Sequence, residues 1–131
     1  MSDTRAECSE QNIIVADDSP MMRDILRYLL EGPGRHVWLA SGGEEAVELA
    51  QGKLAQLVML DVRMPRMDGI DACRRIRSLP HYGQVPIVML TAYDDLAFRH
   101  EARRAGATTV IAKPFTCEQL RRSVDELMAA A

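Results

Sequence analysis

Residues 13–20 read Ile13-Ile14-Val15-Ala16-Asp17-Asp18-Ser19-Pro20. Four apolar residues, too few for a helix of their own, run out into two adjacent acids. Ser19 then supplies a helix cap and Pro20 a preset first helical position. The stretch therefore reads as a buried strand that delivers charge at its carboxyl end and hands directly to a helix. In that helix Met22, Ile25, Leu26, Leu29 and Leu30 share one face, with Arg23, Asp24 and Arg27 opposite. Gly32-Pro33-Gly34 ends it.

The same unit recurs along the chain. Short apolar runs lie at 36–40, 57–60, 85–90 and 109–112. Between them come segments with helical spacing. A second helix spans 44–51 and closes at Gly52. A third carries Ile70, Cys73, Ile76 and Leu79 and stops at Pro80. A fourth spans 96–105 and closes at Gly106. Thr116-Cys117-Glu118-Gln119 is a capping box that opens a fifth, whose inner face is Leu120, Val124, Leu127 and Met128. Five strands alternating with five helices predict an α/β fold: a five-stranded parallel sheet with helices on both faces. Strand order 2-1-3-4-5 sets the ends of strands 1 and 3 side by side, at the switch point where open sheets of this kind bind ligands.

The chain has 131 residues, of which 47% are hydrophobic, enough for one domain with a real core. The division expected is a disordered N-terminal tail at 1–10 and a single domain over 11–131. Sixteen basic residues against nineteen acidic give a net charge of -3, with no basic signature for direct nucleic-acid binding. No apolar run approaches the roughly 20 residues of a membrane span, and the polar start does not resemble a signal peptide. Cys8, Cys73 and Cys117 lie far apart with no CxxC spacing. Free thiols and a cytoplasmic location are expected.

Four of the five predicted strands end in a polar or charged group: Asp17-Asp18, Asp61, Thr91, and Lys113 followed by Pro114. Lys113 is one of two lysines in a chain with fourteen arginines. If strands 1 and 3 are neighbours, Asp17, Asp18 and Asp61 share a pocket. Two carboxylates ~5 Å apart repel by roughly 3 kcal/mol at an effective dielectric of 20, so the trio needs a counter-charge. Hard oxygen donors with no nearby His or Cys suit Mg²⁺. An ammonium and a hydroxyl beside them suit phosphoryl oxygens, which makes this a phosphoryl-transfer set.

The segments Ala16-Asp17-Asp18-Ser19, Leu60-Asp61-Val62-Arg63-Met64-Pro65-Arg66-Met67-Asp68-Gly69, Leu90-Thr91-Ala92 and Ala112-Lys113-Pro114-Phe115 together resemble the signature of response-regulator receiver domains of two-component signalling. The resemblance runs from about Gln11 to Met128 and implies a flavodoxin-like fold. It further implies that Asp61 accepts a phosphoryl group from a histidine kinase or phosphotransfer protein. Asp18 and Asp61 would hold Mg²⁺ with the backbone carbonyl of Arg63, and Asp17 would reach it mainly through water. Thr91 and Lys113 would hold the phosphoryl oxygens, and the Lys113–Pro114 bond would be cis. The same site would hydrolyse its own aspartyl phosphate, so the chain would be a switch for a downstream protein target rather than an enzyme acting on others.

Three positions depart from the family pattern. Val110 replaces a common aromatic and, small and stiff, cannot report the switch as that aromatic does. Arg63 and Tyr93 flank the expected path of a hydrolytic water and are expected to set the phosphate lifetime. Two other functions compete: a degenerate receiver that binds partners without phosphorylation, and an aspartate-dependent phosphatase. The latter family carries its nucleophile after the first strand, unlike Asp61. Arg99, Arg103, Arg121 and Arg122 suggest an acidic partner surface. The remaining features read as structural: Asp68 a helix cap, Met64 and Met67 filler, and Trp38 packing. Arg74, Arg75, Arg77, Arg103 and Arg104 read as solvated helix faces, and His36, His81 and His100 have no metal spacing.

Overall fold

The computed structural model describes residues 10–92 and 96–130. Its elements are β1 (Gln11–Ala16), α1 (Pro20–Leu30), β2 (Arg35–Ala40), α2 (Gly43–Gly52), β3 (Leu57–Asp61), α3 (Gly69–Arg77), β4 (Ile87–Thr91), α4 (Leu96–Ala105), β5 (Thr109–Ala112) and α5 (Cys117–Ala130). The strands form one sheet in the order β2-β1-β3-β4-β5, with every neighbouring pair parallel. That is the expected order. The expected tail falls outside the described residues except for Glu10, which is exposed and lies 3.3 Å from His36 Nε2.

Strand alternation divides the core into two layers. Ile14, Ala16, Val58, Leu60, Ile87 and Met89 face α2, α3 and α4, meeting Ala46, Ile70, Ile76 and Ala102. Ile13, Val15, Leu57, Met59, Val88 and Leu90 face α1 and α5, meeting Leu26, Leu29, Leu120 and Val124. All five residues of β3 and all five of β4 are buried, as central strands covered on both faces must be. Each fully buried Leu or Ile contributes roughly 2 kcal/mol of apolar burial. The caps also form as read. Ser19 Oγ accepts from Met22 N at 3.2 Å, and Asp68 accepts from Asp71 N at 2.9 Å. Thr116 and Gln119 bond reciprocally at 3.0 Å.

Several details differ from the sequence reading. β4 starts at Ile87 rather than residue 85, because Pro86 has no N–H to give a ladder. Ile25 is 40% exposed, so the buried stripe of α1 is narrower than drawn and rests on Leu26, Leu29 and Leu30. Trp38 is not packed inside. It is 39% exposed, donates through Nε1 to Asn12 Oδ1 at 2.9 Å, and carries Lys53 Nζ 3.9 Å from its ring centroid. Arg77 is not a solvated charge either. Its half-buried guanidinium donates to the carbonyls of Tyr82 (2.8 Å), Val85 (2.6 Å) and Gly106 (3.1 Å from Nε, with a second, short bond from Nη2). Cys73 is the inert thiol expected: buried, donating to Ala105 O at 3.4 Å, with burial pushing its pKa up to about 11.

β2 is an edge of the sheet, and α1 covers part of that edge. Val37 N donates to Glu31 Oε2 at 3.4 Å, and Val37 O accepts from Arg27 Nη2 at 3.3 Å. Among the described residues no helix is long and apolar enough to cross a membrane.

Candidate functional site

The carboxyl ends of β1, β3, β4 and β5 bring the predicted residues to one rim. Asp61 is the last residue of β3 and Thr91 the last of β4, on adjacent strands. Both are buried, at 6% and 2% exposure. Lys113 follows β5, tied by its backbone N–H to Thr91 O at 2.8 Å. The Lys113–Pro114 bond is cis, as expected. Asp17 and Asp18 follow β1, the first buried at 1% exposure and the second exposed. Arg63 lies exposed on the β3–α3 loop and lines an open cleft together with Asp18, Met64 and Asp68.

The charges meet closely. Lys113 Nζ donates to Asp61 Oδ1 at 2.8 Å and lies 3.6 Å from Asp17 Oδ2. Asp17, Asp18 and Asp61 each place a carboxylate oxygen within 4.8 Å of the others, and among the described residues no other His, Cys, Asp or Glu trio does so. Burial holds the Asp61 carboxyl above its ordinary value, and the charges of Asp17 and Asp18 add to this against the Lys113 bond. Burial alone would lower the Lys113 pKa, but Asp61 and Asp17 outweigh it and raise it, so the side chain stays an ammonium. One oxygen is unmatched. Among the described residues Asp17 Oδ2 is buried with no hydrogen-bond partner and only the Lys113 ammonium 3.6 Å away, while Oδ1 accepts from Ser19 N at 2.9 Å. A buried carboxylate oxygen left without a donor is costly in a closed protein and natural in one that receives a cation. The donor set, all oxygen and with one solvent-facing member, fits Mg²⁺.

Two contributors were missed in the sequence. Gly69, the first residue of α3, passes so close to the acceptor strand that a Cβ there would stand 2.5 Å from Asp61 O and 3.0 Å from Val62 Cα. Arg23, read only as a polar-face residue, donates from Nη1 to Asp17 O at 2.7 Å. Its signal was a cation one turn into a helix, where the macrodipole disfavours it. Val110 is partly buried against the α2–α3–α4 layer and pairs with Met89. Tyr93 lies outside the described residues.

Residues 13–125 match the family profile of the response regulator receiver domain. The chain is 37% identical over 122 residues to a 14.6 kDa protein from the sodA1 3′ region of Leptolyngbya boryana, covering 93% of each. It is 41% identical over 108 residues to the response regulator MprA of Mycolicibacterium vanbaalenii, covering 82% of this chain and 46% of that one. Over 108 residues it is 36% identical to the signal transduction histidine-protein kinase BarA of Escherichia coli, of which it spans 12%. Among solved structures, chemotaxis protein CheY4 of Vibrio cholerae superposes with a TM-score of 0.86 at 30% identity, covering 90% of this chain and 98% of that one. The receiver domain of sensor histidine kinase PA1611 from Pseudomonas aeruginosa, with a magnesium ion coordinated in its active-site cleft, gives 0.83 at 30% identity, covering 92% and 98%.

Proposed function

Because this chain belongs to the response regulator receiver domain family, we propose that residues 11–131 form one phosphoacceptor switch, working in the cytoplasm, with Asp61 as the acceptor. The observation that carries the reading is the unmatched, buried Asp17 Oδ2 inside a carboxylate trio that faces the Lys113 ammonium.

Lys113 holds Asp61 Oδ1, which leaves Oδ2 as the attacking atom. Oδ2 forms an O–P bond to the phosphoryl group of a phosphohistidine on a histidine kinase or phosphotransfer protein. The N–P bond breaks and its electron pair stays on the imidazole. A carboxylate made more basic by burial is the better nucleophile. Lys113 and the Thr91 hydroxyl stabilise the equatorial oxygens of the in-line displacement. Asp17, Asp18, Asp61 and the Arg63 carbonyl would hold Mg²⁺, which when bound offsets the crowded carboxylates and the phosphoryl charge. Water attacking the same phosphorus breaks the Asp61 O–P bond, releases inorganic phosphate, returns Asp61 to its carboxylate and ends the signal. Arg63 stands at the cleft mouth, where it modulates that hydrolysis. The output goes to a downstream protein.

The test is phosphorylation by acetyl phosphate with and without Mg²⁺, read by intact mass. A gain of about 80 Da that needs Mg²⁺ and vanishes in Asp61→Asn is expected. No gain in a folded, Mg²⁺-binding chain would replace this reading with that of a phosphorylation-independent binding module.

A further inference from the structure

We infer that Arg23 is the positioning residue that sets the acidic pair for its cation, through the bond from its guanidinium to the Asp17 carbonyl. The inference rests on the reading of the carboxylate trio as a Mg²⁺ site.

The turn Asp17-Asp18-Ser19 carries two of the three carboxylates, yet its own side-chain support is slight. Asp18 is exposed, and Asp17 uses one carboxylate oxygen locally, on Ser19 N. The Arg23 guanidinium reaches back to Asp17 O at 2.7 Å, while its backbone N–H makes the ordinary first helical bond to Ser19 O at 3.0 Å. Asp18 lies between the two anchored carbonyls. The guanidinium thus holds the peptide that joins the two acids.

α1 has no acid in its first turn, and a cation near a helix N-terminus is disfavoured. The bond to Asp17 O is charge-assisted and short, the stronger kind of backbone anchor. It also fixes the rotation of the Asp17 peptide. On the far side of that residue, Asp17 N is bonded to Ala40 O at 3.1 Å. With the strand ladder on one side and Arg23 on the other, the Asp17 backbone is held where its Oδ2 lies 3.6 Å from Lys113 Nζ. Without the guanidinium, the peptide between Asp17 and Asp18 is free to tilt. A metal site is sensitive to sub-ångström misplacement of its ligands.

The experiment is Mg²⁺ titration calorimetry at pH 7 on the parent, Arg23→Gln, Arg23→Lys and, as a control, Arg27→Gln. Arg27 stands one turn further along α1 and serves β2 instead. Arg23→Gln is expected to bind Mg²⁺ about tenfold more weakly, and Arg23→Lys, which keeps one charged donor, two- to fivefold more weakly. Arg27→Gln should bind like the parent even if it melts earlier. If Arg23→Gln does not fold, the Arg23→Lys comparison carries the test. Unchanged affinity in both folded Arg23 variants, or an equal loss in Arg27→Gln, overturns the inference and leaves the proposed function standing. A parent that binds no Mg²⁺ overturns both.

Discussion

The two ends of the sheet treat buried polar groups in opposite ways. At the base, the partly buried groups are matched. The Arg77 guanidinium serves carbonyls from three positions, those of Tyr82, Val85 and Gly106. The Tyr82 hydroxyl donates to Lys53 O at 2.7 Å and accepts from Ala55 N at 2.9 Å. At the carboxyl end, three acids share their space with one lysine, and a buried carboxylate oxygen has no donor. Saturated polar groups hold a fold together; unsaturated ones wait for something else. The base is built for stability, and the opposite rim gives up stability for an open valence.

The contrast can be broken first from the base. Arg77→Met would leave three carbonyls facing an apolar stem, and it should lose about 3 kcal/mol in urea unfolding. Acetyl phosphate labelling of the folded variant should match the parent. A loss of under about 1 kcal/mol would mean that the base is not the stabilising end. A smaller effect, about 2 kcal/mol, is expected for Gly69→Ala, whose new Cβ must push away Asp61 O. Here labelling should slow as well, because the acceptor's own backbone shifts. Normal labelling rates would show that the rim tolerates movement.

The smallest change sharpens the comparison from the other side. Asp61→Asn removes one of three crowded charges, though it also loses the Lys113 bond, and should stabilise the chain at neutral pH by about 0.5–1 kcal/mol. The sign follows from the raised pKa. Between the ordinary value of 3.8 and the higher folded one, the native state holds more protons than the unfolded state. Stability is therefore lost as pH rises through that window, and the deficit persists above it. The gap between variant and parent should open as pH climbs from about 4 and then level off. A parent that instead gains on the variant with rising pH would mean that the rim is not under charge strain.

Sequence made the rim more legible than the base. A polar residue that ends an apolar run is conspicuous, so Asp17, Asp18, Asp61, Thr91 and Lys113 stand out in the sequence, and alternation narrows the sheet that gathers them to a few topologies, among which the family resemblance selects the strand order. Arg77 was misread because an arginine at the end of an amphipathic helix looks solvated. Its long stem lets the head turn inward to distant carbonyls, and that choice depends on partners 5 to 29 residues away. Trp38 was misread for the converse reason: an edge strand leaves one side of a large ring uncovered, and strand order alone does not say how much. Ile25 shows the limit of helical periodicity, which gives the direction of a buried face but not its width. Arg23 and Gly69 act through backbone atoms, which residue identity barely encodes.

The covered edge of β2 matters whenever folded chains meet one another. An open strand edge is a template onto which another extended chain can zip, and aggregates grow that way. At Val37 the outward N–H and C=O are already taken, by Glu31, which caps α1, and by Arg27 within it. An incoming strand would find its middle rung occupied and would have to displace the Glu31 and Arg27 side chains, themselves 3.9 Å apart, before it could add the next. The same two charged side chains that look like ordinary surface decoration at the end of α1 therefore act as a guard against fibre growth.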